Sequence, residues 1–124
     1  MATKGARGEA FLEADGQSYP ILFTNRAVVE AEQRTGKAFL HLLRQATQGE
    51  LGMGDVASLL LTGLEAARRD SHASGKPYQI NQAFDLIDAV GFQQAAAAVI
   101  AALTEVLTFG TTEDTGETEG PPAQ

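Results

Sequence analysis

Strand signals in this sequence are confined to one stretch, Gly8 to Phe23, and every apolar segment after it repeats at helical spacing. That pattern allows a hairpin but no larger sheet, so the hairpin must find its cover among helices. The two runs GEAFLEA and QSYPILF flank Asp15-Gly16, a dipeptide suited to a type I′ turn because both central residues need positive φ. Phe11 lies between Ala10 and Leu12 with Glu9 and Glu13 outside them, while Tyr19, Ile21 and Phe23 share one face. Pro20 is expected to remove a ladder donor, which makes its strand an edge or a bulged one.

Five helices are expected after the hairpin. Asn25 is the candidate cap of the first, which runs to about Thr35 and stops at Gly36. The second spans about Ala38 to Gln48, with Phe39, Leu42, Leu43 and Ala46 at helical spacing and Gly49 as its stop. Asp55 is the expected cap of the third, whose stripe to Arg69 is Val56, Leu59, Leu60, Gly63, Leu64 and Ala67. Leu61 falls off that stripe, so this helix is apolar around much of its circumference and reads as central, with Gly63 admitting a close neighbour. A loop from Asp70 to Tyr78 leads to a fourth helix capped by Asn81, carrying Ala83, Phe84, Ile87 and Val90 and closed by Gly91. The fifth repeats Phe92, Ala95, Ala96, Val99, Ile100, Leu103, Val106 and Leu107 at a period near 3.6. The fold class is therefore mainly α: an N-terminal β-hairpin, a five-helix domain and a disordered acidic C-terminal tail. Residues 1–7 are expected to be a flexible terminus, 8–110 the folded domain, and 111–124 the tail, which holds Glu113, Asp114, Glu117 and Glu119 and no anchor for a core.

Chemistry is constrained by what is missing. The 124 residues contain no Cys, which removes thiolate nucleophiles, disulfides and sulfur-based zinc sites. Net charge is −7, and without the tail acids the body has 9 cations against 12 acids, with no basic stripe for phosphate. Nucleic acid is thus disfavoured, and a DNA-binding regulator in particular would need Lys or Arg on a recognition helix where the fifth helix has neither. No apolar run reaches the roughly 18 residues of a membrane span, and the start MATKGARGEAF has no apolar leader core, so an unexported, membrane-free protein is expected.

Asp85 and Asp88, three apart on the fourth helix, are better read as its wet side than as a cation or acid–base pair. His41 and His72 lack partners at metal-ligand spacing. The Gly49–Gly54 stretch precedes a helix but has no Lys-Ser or Lys-Thr, and Asp55 puts negative charge where a phosphate would sit. Ser58, Ser71 and Ser74 lack a nucleophile-elbow context. No catalytic residue, cofactor or metal is expected. Surfaces remain: off-stripe Leu40 and Leu61, and the back of the fifth helix, where Ala97, Ala98 and Ala101 sit among Gln93, Gln94, Thr104 and Glu105. Each is either part of a larger core or a face for a partner helix or a second copy.

The order of these features resembles the phage tail assembly chaperone family, in the branch of tailed phages and gene transfer agents. The resemblance runs from about Gly8 to Leu107. It is carried by GEAFLEADGQSYPILFT, by Asn25, Glu32 and Gly36 around the first helix, by Leu60 and Leu64 in SLLLTGLEAARR, and by Leu86, Ile87, Asp88 and Gly91 in FDLIDAVG. Ala31 departs from the larger apolar residue common there, and the Ser71–Gln79 loop is longer. The resemblance implies a non-enzymatic protein of the host bacterial cytoplasm that coats the helical tape measure protein, keeps it soluble until tail tube subunits polymerise around it, and is absent from the finished particle. It implies the tape measure protein as partner, with tail tube protein as a further one; a longer frameshifted form is common in the family. The alternative is a small structural head–tail connector or adaptor, equally helical but retained in the virion.

Overall fold

The computed structural model describes residues 8–71 and 75–118, with side chains described to Val106. The element order is β1 (Gly8–Ala14), β2 (Gln17–Phe23), α1 (Asn25–Thr35), α2 (Phe39–Thr47), α3 (Met53–Asp70), α4 (Ile80–Val90) and α5 (Phe92–Thr118). The mainly helical class with one N-terminal hairpin is as expected. The flexible segment expected at residues 1–7 lies outside the described residues.

β1 and β2 pair antiparallel from Ala14↔Gln17 to Gly8↔Phe23. Asp15 and Gly16, at φ 51 and 77, supply the two left-handed residues of the turn. In a two-residue hairpin the pair flanking the loop exchanges hydrogen bonds, and such pairs alternate along the ladder. Pro20, opposite Phe11, therefore falls at a non-bonded position, where a backbone N–H would point away from β1. It removes no ladder donor, contrary to expectation, and β2 needs no bulge. What it removes is a donor on the open edge, which makes that edge a poor template for another strand.

The core is built around α3. This helix packs against β2, α1, α4 and α5, and its residues from Leu59 to Ala67 are all buried, Thr62 and Glu65 included. Gly63 lets β2 come close: a Cβ there would stand 2.4 Å from Ile21 Cγ2. Gly8 does the same for β1 on α5, where a Cβ would stand 1.8 Å from the Ala102 carbonyl oxygen. The hairpin thus lays Leu12, Ala14, Ile21 and Phe23 onto α3 and α5 at two points that only glycine permits.

Helix starts differ from expectation by one to three residues. Thr24, not Asn25, caps α1, its hydroxyl accepting from Ala27 N at 3.1 Å. α3 begins at Met53 after Gly52, so Asp55 lies inside the first turn, where its carboxylate pairs with Lys37 Nζ at 2.7 Å. α4 is capped by Gln79 rather than Asn81, in a reciprocal capping box with Gln82. The stop signals hold: Gly36 is left-handed at φ 73, and Gly49 follows α2 at φ 71. Gly91 separates α4 from α5, which meet at 116°. No single helix among the described residues is long and apolar enough to cross a membrane. On α4 the buried face is Ala83, Leu86 and Ile87, with Phe84 left exposed, a rotation from the expected stripe that follows from α4 packing on α3 and α5 at once.

α5 buries Ala95, Val99, Ala102, Leu103 and Val106. Its backbone continues past Gly110 to Thr118, so residues 111–118 extend the helix where a disordered tail was expected. Propagating an existing helix fixes one residue per added hydrogen bond and avoids the cost of a new nucleus. The rest of the expected tail, residues 119–124, lies outside the described residues.

Candidate functional site

Two kinds of side-chain arrangement are built on this frame: closed polar clusters that hold helices in place, and open apolar or mixed surfaces. The clusters engage Glu30, Glu32, Arg34, Lys37, Asp55, Glu65, Arg68 and Arg69 around α3. Glu65, 6% exposed, accepts two hydrogen bonds from Arg68, at 3.0 Å from Nε and 2.9 Å from Nη2. It also accepts the Tyr78 backbone N–H, which ties the α3–α4 loop to the middle of α3. The Arg68 hydrogen bonds hold the Glu65 carboxyl below its ordinary range against the opposing effect of burial, and the Tyr78 N–H adds to the lowering. Burial pushes the Tyr78 phenol upward.

A second cluster joins α1 to α3. Arg34 Nη1 donates to Thr62 Oγ1 at 2.9 Å, and Arg69 Nη2 reaches Glu30 Oε1 at 2.9 Å. Thr62 in turn donates to the Ser58 carbonyl, so a fully buried hydroxyl on α3 is satisfied from both directions. A third fixes the α1–α2 corner. Glu32 accepts from the Phe39 N–H at 2.8 Å, replacing the side-chain cap that Ala38 cannot give α2, while Lys37 joins Gln45 and Asp55. All three consist of mutually satisfied partners, an arrangement suited to holding structure in place rather than to proton transfer.

The residues singled out from the sequence separate clearly. Leu61 is 8% exposed and belongs to the core, which removes it from the docking set; its apparent position off the stripe reflects an α3 covered on nearly all sides. Leu40, 61% exposed in the first turn of α2, is free. Ala97 and Ala101 are exposed, and Ala98 is half-buried. Asp88 does not join Asp85, which instead lines a cavity shared with the hairpin tip. His41 is exposed on α2, whereas His72 and Ser74 lie outside the described residues. Among the described residues no group of three or more His, Cys, Asp or Glu is placed to hold a metal ion.

Ala97 lines a groove of about 250 Å³ between α5 and the end of α2. Its α5 wall is Phe92, Gln93, Ala96, Ala97 and Ile100, and its other wall is Ala46, Gly49 and Leu51. None of these residues is charged. Sequence reasoning placed only Gln93 and Ala97 of the α5 wall on an open face and read Phe92, Ala96 and Ile100 as part of the core stripe, and it missed the opposite wall because Leu51 in a Gly-rich connection carries no periodic signal. Leu40 and Ala101 do not line this groove. Further apolar area stands exposed at Phe11, Val29, Met53, Ile80 and Phe84, Phe11 being the most open at 63%.

Comparison with protein-family models, curated proteins and solved structures finds no match to this chain.

Proposed function

We propose that this protein is a non-enzymatic assembly chaperone of the tailed-phage type, which binds an apolar helical segment of a tape measure protein and keeps it soluble while a tail tube forms around it. The observation that carries this reading is the uncharged groove along α5, open beside the alanine face and bordered by Leu51. Small side chains let a guest helix approach closely, while the half-buried Phe92 and Ile100 supply apolar area to bury over the core residue Leu51. The sequence resemblance gives the class of guest. Net acidity keeps a carrier with exposed apolar side chains from self-associating.

The test is co-expression with the long helical reading frame expected beside this gene, followed by measurement of the partner's solubility and co-purification. Ala97→Glu should leave the melting temperature unchanged and abolish co-purification, because desolvating a carboxylate in the groove costs about 1–3 kcal/mol or more of affinity. Ala101→Glu and Leu40→Glu, outside the groove, measure how far the contact extends. If the wild type keeps no tape measure segment soluble, the assignment fails. Recovery of the protein from purified particles would instead identify a connector or adaptor.

A further inference from the structure

A second cavity, of about 210 Å³, lies between the tip of the hairpin and α4 and has a different chemistry from the groove. Asp15 and Tyr19 reach it from the hairpin, Tyr78 from the α3–α4 loop, and Asp85 from α4, over a floor that includes Leu86 and Ala89. Its walls therefore hold two carboxylates and two aromatic rings, and no Lys or Arg lines it. Among the described residues neither carboxylate has an ion pair or side-chain hydrogen bond, and the Tyr78 hydroxyl likewise has no partner. Tyr19 donates its hydroxyl hydrogen to Gln17 at 2.8 Å, which leaves the oxygen free to accept.

We propose that this notch receives one arginine side chain of a protein partner, its guanidinium stacked against Tyr19 and Tyr78 and bonded to Asp15 and Asp85. Size suits one side chain: the volume of about 210 Å³ is below the roughly 300–1,000 Å³ usual for small-molecule sites. Composition selects the charge, since two unpaired carboxylates beside two π faces favour a cation, and a planar guanidinium can both stack and fork to carboxylates where an ammonium cannot. An acidic chain of net charge −7 draws basic partners towards it in any case.

The backbone around the notch is held in place. Asp15 sits in its left-handed turn, Tyr78 is tied through its backbone N–H to Glu65, and the start of α4 is set by the Gln79–Gln82 capping box. Ordering on binding is thus confined to the side chains, which limits its cost. Of the protein's own cations, Lys76, two residues from Tyr78, is exposed and does not line the notch, and Arg68, whose charge reaches Tyr78, is held by Glu65.

The experiment is an amide NMR titration of the intact chain with acetyl-arginine methylamide, acetyl-lysine methylamide and the neutral isostere acetyl-citrulline methylamide. Saturable shifts should centre on Gly16, Tyr19, Tyr78, Asp85 and Ala89 with the arginine probe, be weaker with lysine and be absent with citrulline. Asp85→Asn and Asp15→Asn, the latter keeping a residue that tolerates the left-handed turn, should each weaken binding about threefold, and Tyr19→Leu by a similar factor. Equal shifts with citrulline, non-saturating shifts spread over remote acids such as Glu30 and Glu50, or unchanged binding in Asp85→Asn would each overturn the proposal. Equal binding of lysine would overturn the guanidinium preference. None of these readouts involves a tape measure segment, so the result is independent of the chaperone reading.

Discussion

α3 and α5 hold more Ala and Leu residues than any other helix of this protein, and their surroundings could hardly differ more. α3 is enclosed by β2, α1, α4 and α5, so that even its Thr62 and Glu65 are buried and must be satisfied internally. α5 covers α3 and β1 with one face and leaves Gln94, Ala97 and Ala101 in solvent. Leu61 on one and Ala97 on the other both look misplaced against a helical stripe. The first is core and the second is surface. An amphipathic pattern reports how many sides of a helix are apolar, and the number of neighbours determines whether those sides are covered.

The strongest way to break this contrast is to put the same charge on both helices. Leu61→Glu should cost about 4 kcal/mol or more and unfold much of the population, because an unpaired carboxylate would be buried in the densest part of the core. Ala97→Glu and Leu40→Glu should stay within about 0.5 kcal/mol of the wild type. Urea denaturation of the three variants checks it, and a stable Leu61→Glu protein would mean that α3 has an open side.

The close approaches to the two helices come next. Gly8→Ala meets the backbone of α5 and should cost about 3 kcal/mol, since β1 must lift away. Gly63→Ala meets side chains rather than backbone, Ile21 Cγ2 at 2.4 Å and Phe23 Cε2 at 3.3 Å, and gains about 1 kcal/mol of helix propensity, so its net cost should be smaller, about 1 kcal/mol. Combined with Ile21→Ala, which removes that methyl, Gly63→Ala should cost less than the sum of the separate changes, a coupling that denaturation of all four proteins measures.

A smaller effect distinguishes the helices by pH. The Glu65 carboxyl on α3 is held below its ordinary value near 4.5, so its contribution is complete above that pH and is lost as pH falls through the lowered folded value. Glu65→Gln should flatten the dependence of the melting temperature on pH below about 4.5, measured against wild type under matched salt. The smallest effect belongs to the far end of α5. Truncation after Gly110 should shift the melting temperature by no more than about 2 °C, because the removed segment has no large apolar side chain to contribute to a core.

Much of the fold is legible because its signals are local. Asp15-Gly16 specifies a turn whose φ values few other dipeptides accept, and Gly36, Gly49 and Gly91 end helices for the same reason. The starts were less legible. Asn25, Asp55 and Asn81 are good capping residues by type, yet Thr24, Gly52 and Gln79 occupy the caps. Asp55 is engaged instead with Lys37, a partner 18 residues away that no local window contains.

The two candidate sites divide in the same manner. Gln93 and Ala97 of the groove could be read from the absence of charge along one face of α5, whereas Phe92, Ala96 and Ile100 read as core, and Asp85 was visible as a carboxylate on α4. Neither Leu51 opposite Ile100 nor Tyr19 beside Tyr78 could be read, since each pairing joins segments separated by long stretches of chain. What the sequence alone determined is the set of elements, the glycine stops of α1, α2 and α4 and the turn between the strands, all fixed by backbone conformations and side-chain periods that act over a few residues. Only the tertiary structure decided which apolar faces are covered and which carboxylates are paired. Burial and Coulomb energy depend on the distance between groups in space, and in this fold that distance is set by α3 passing beneath a hairpin that glycine allows to come close.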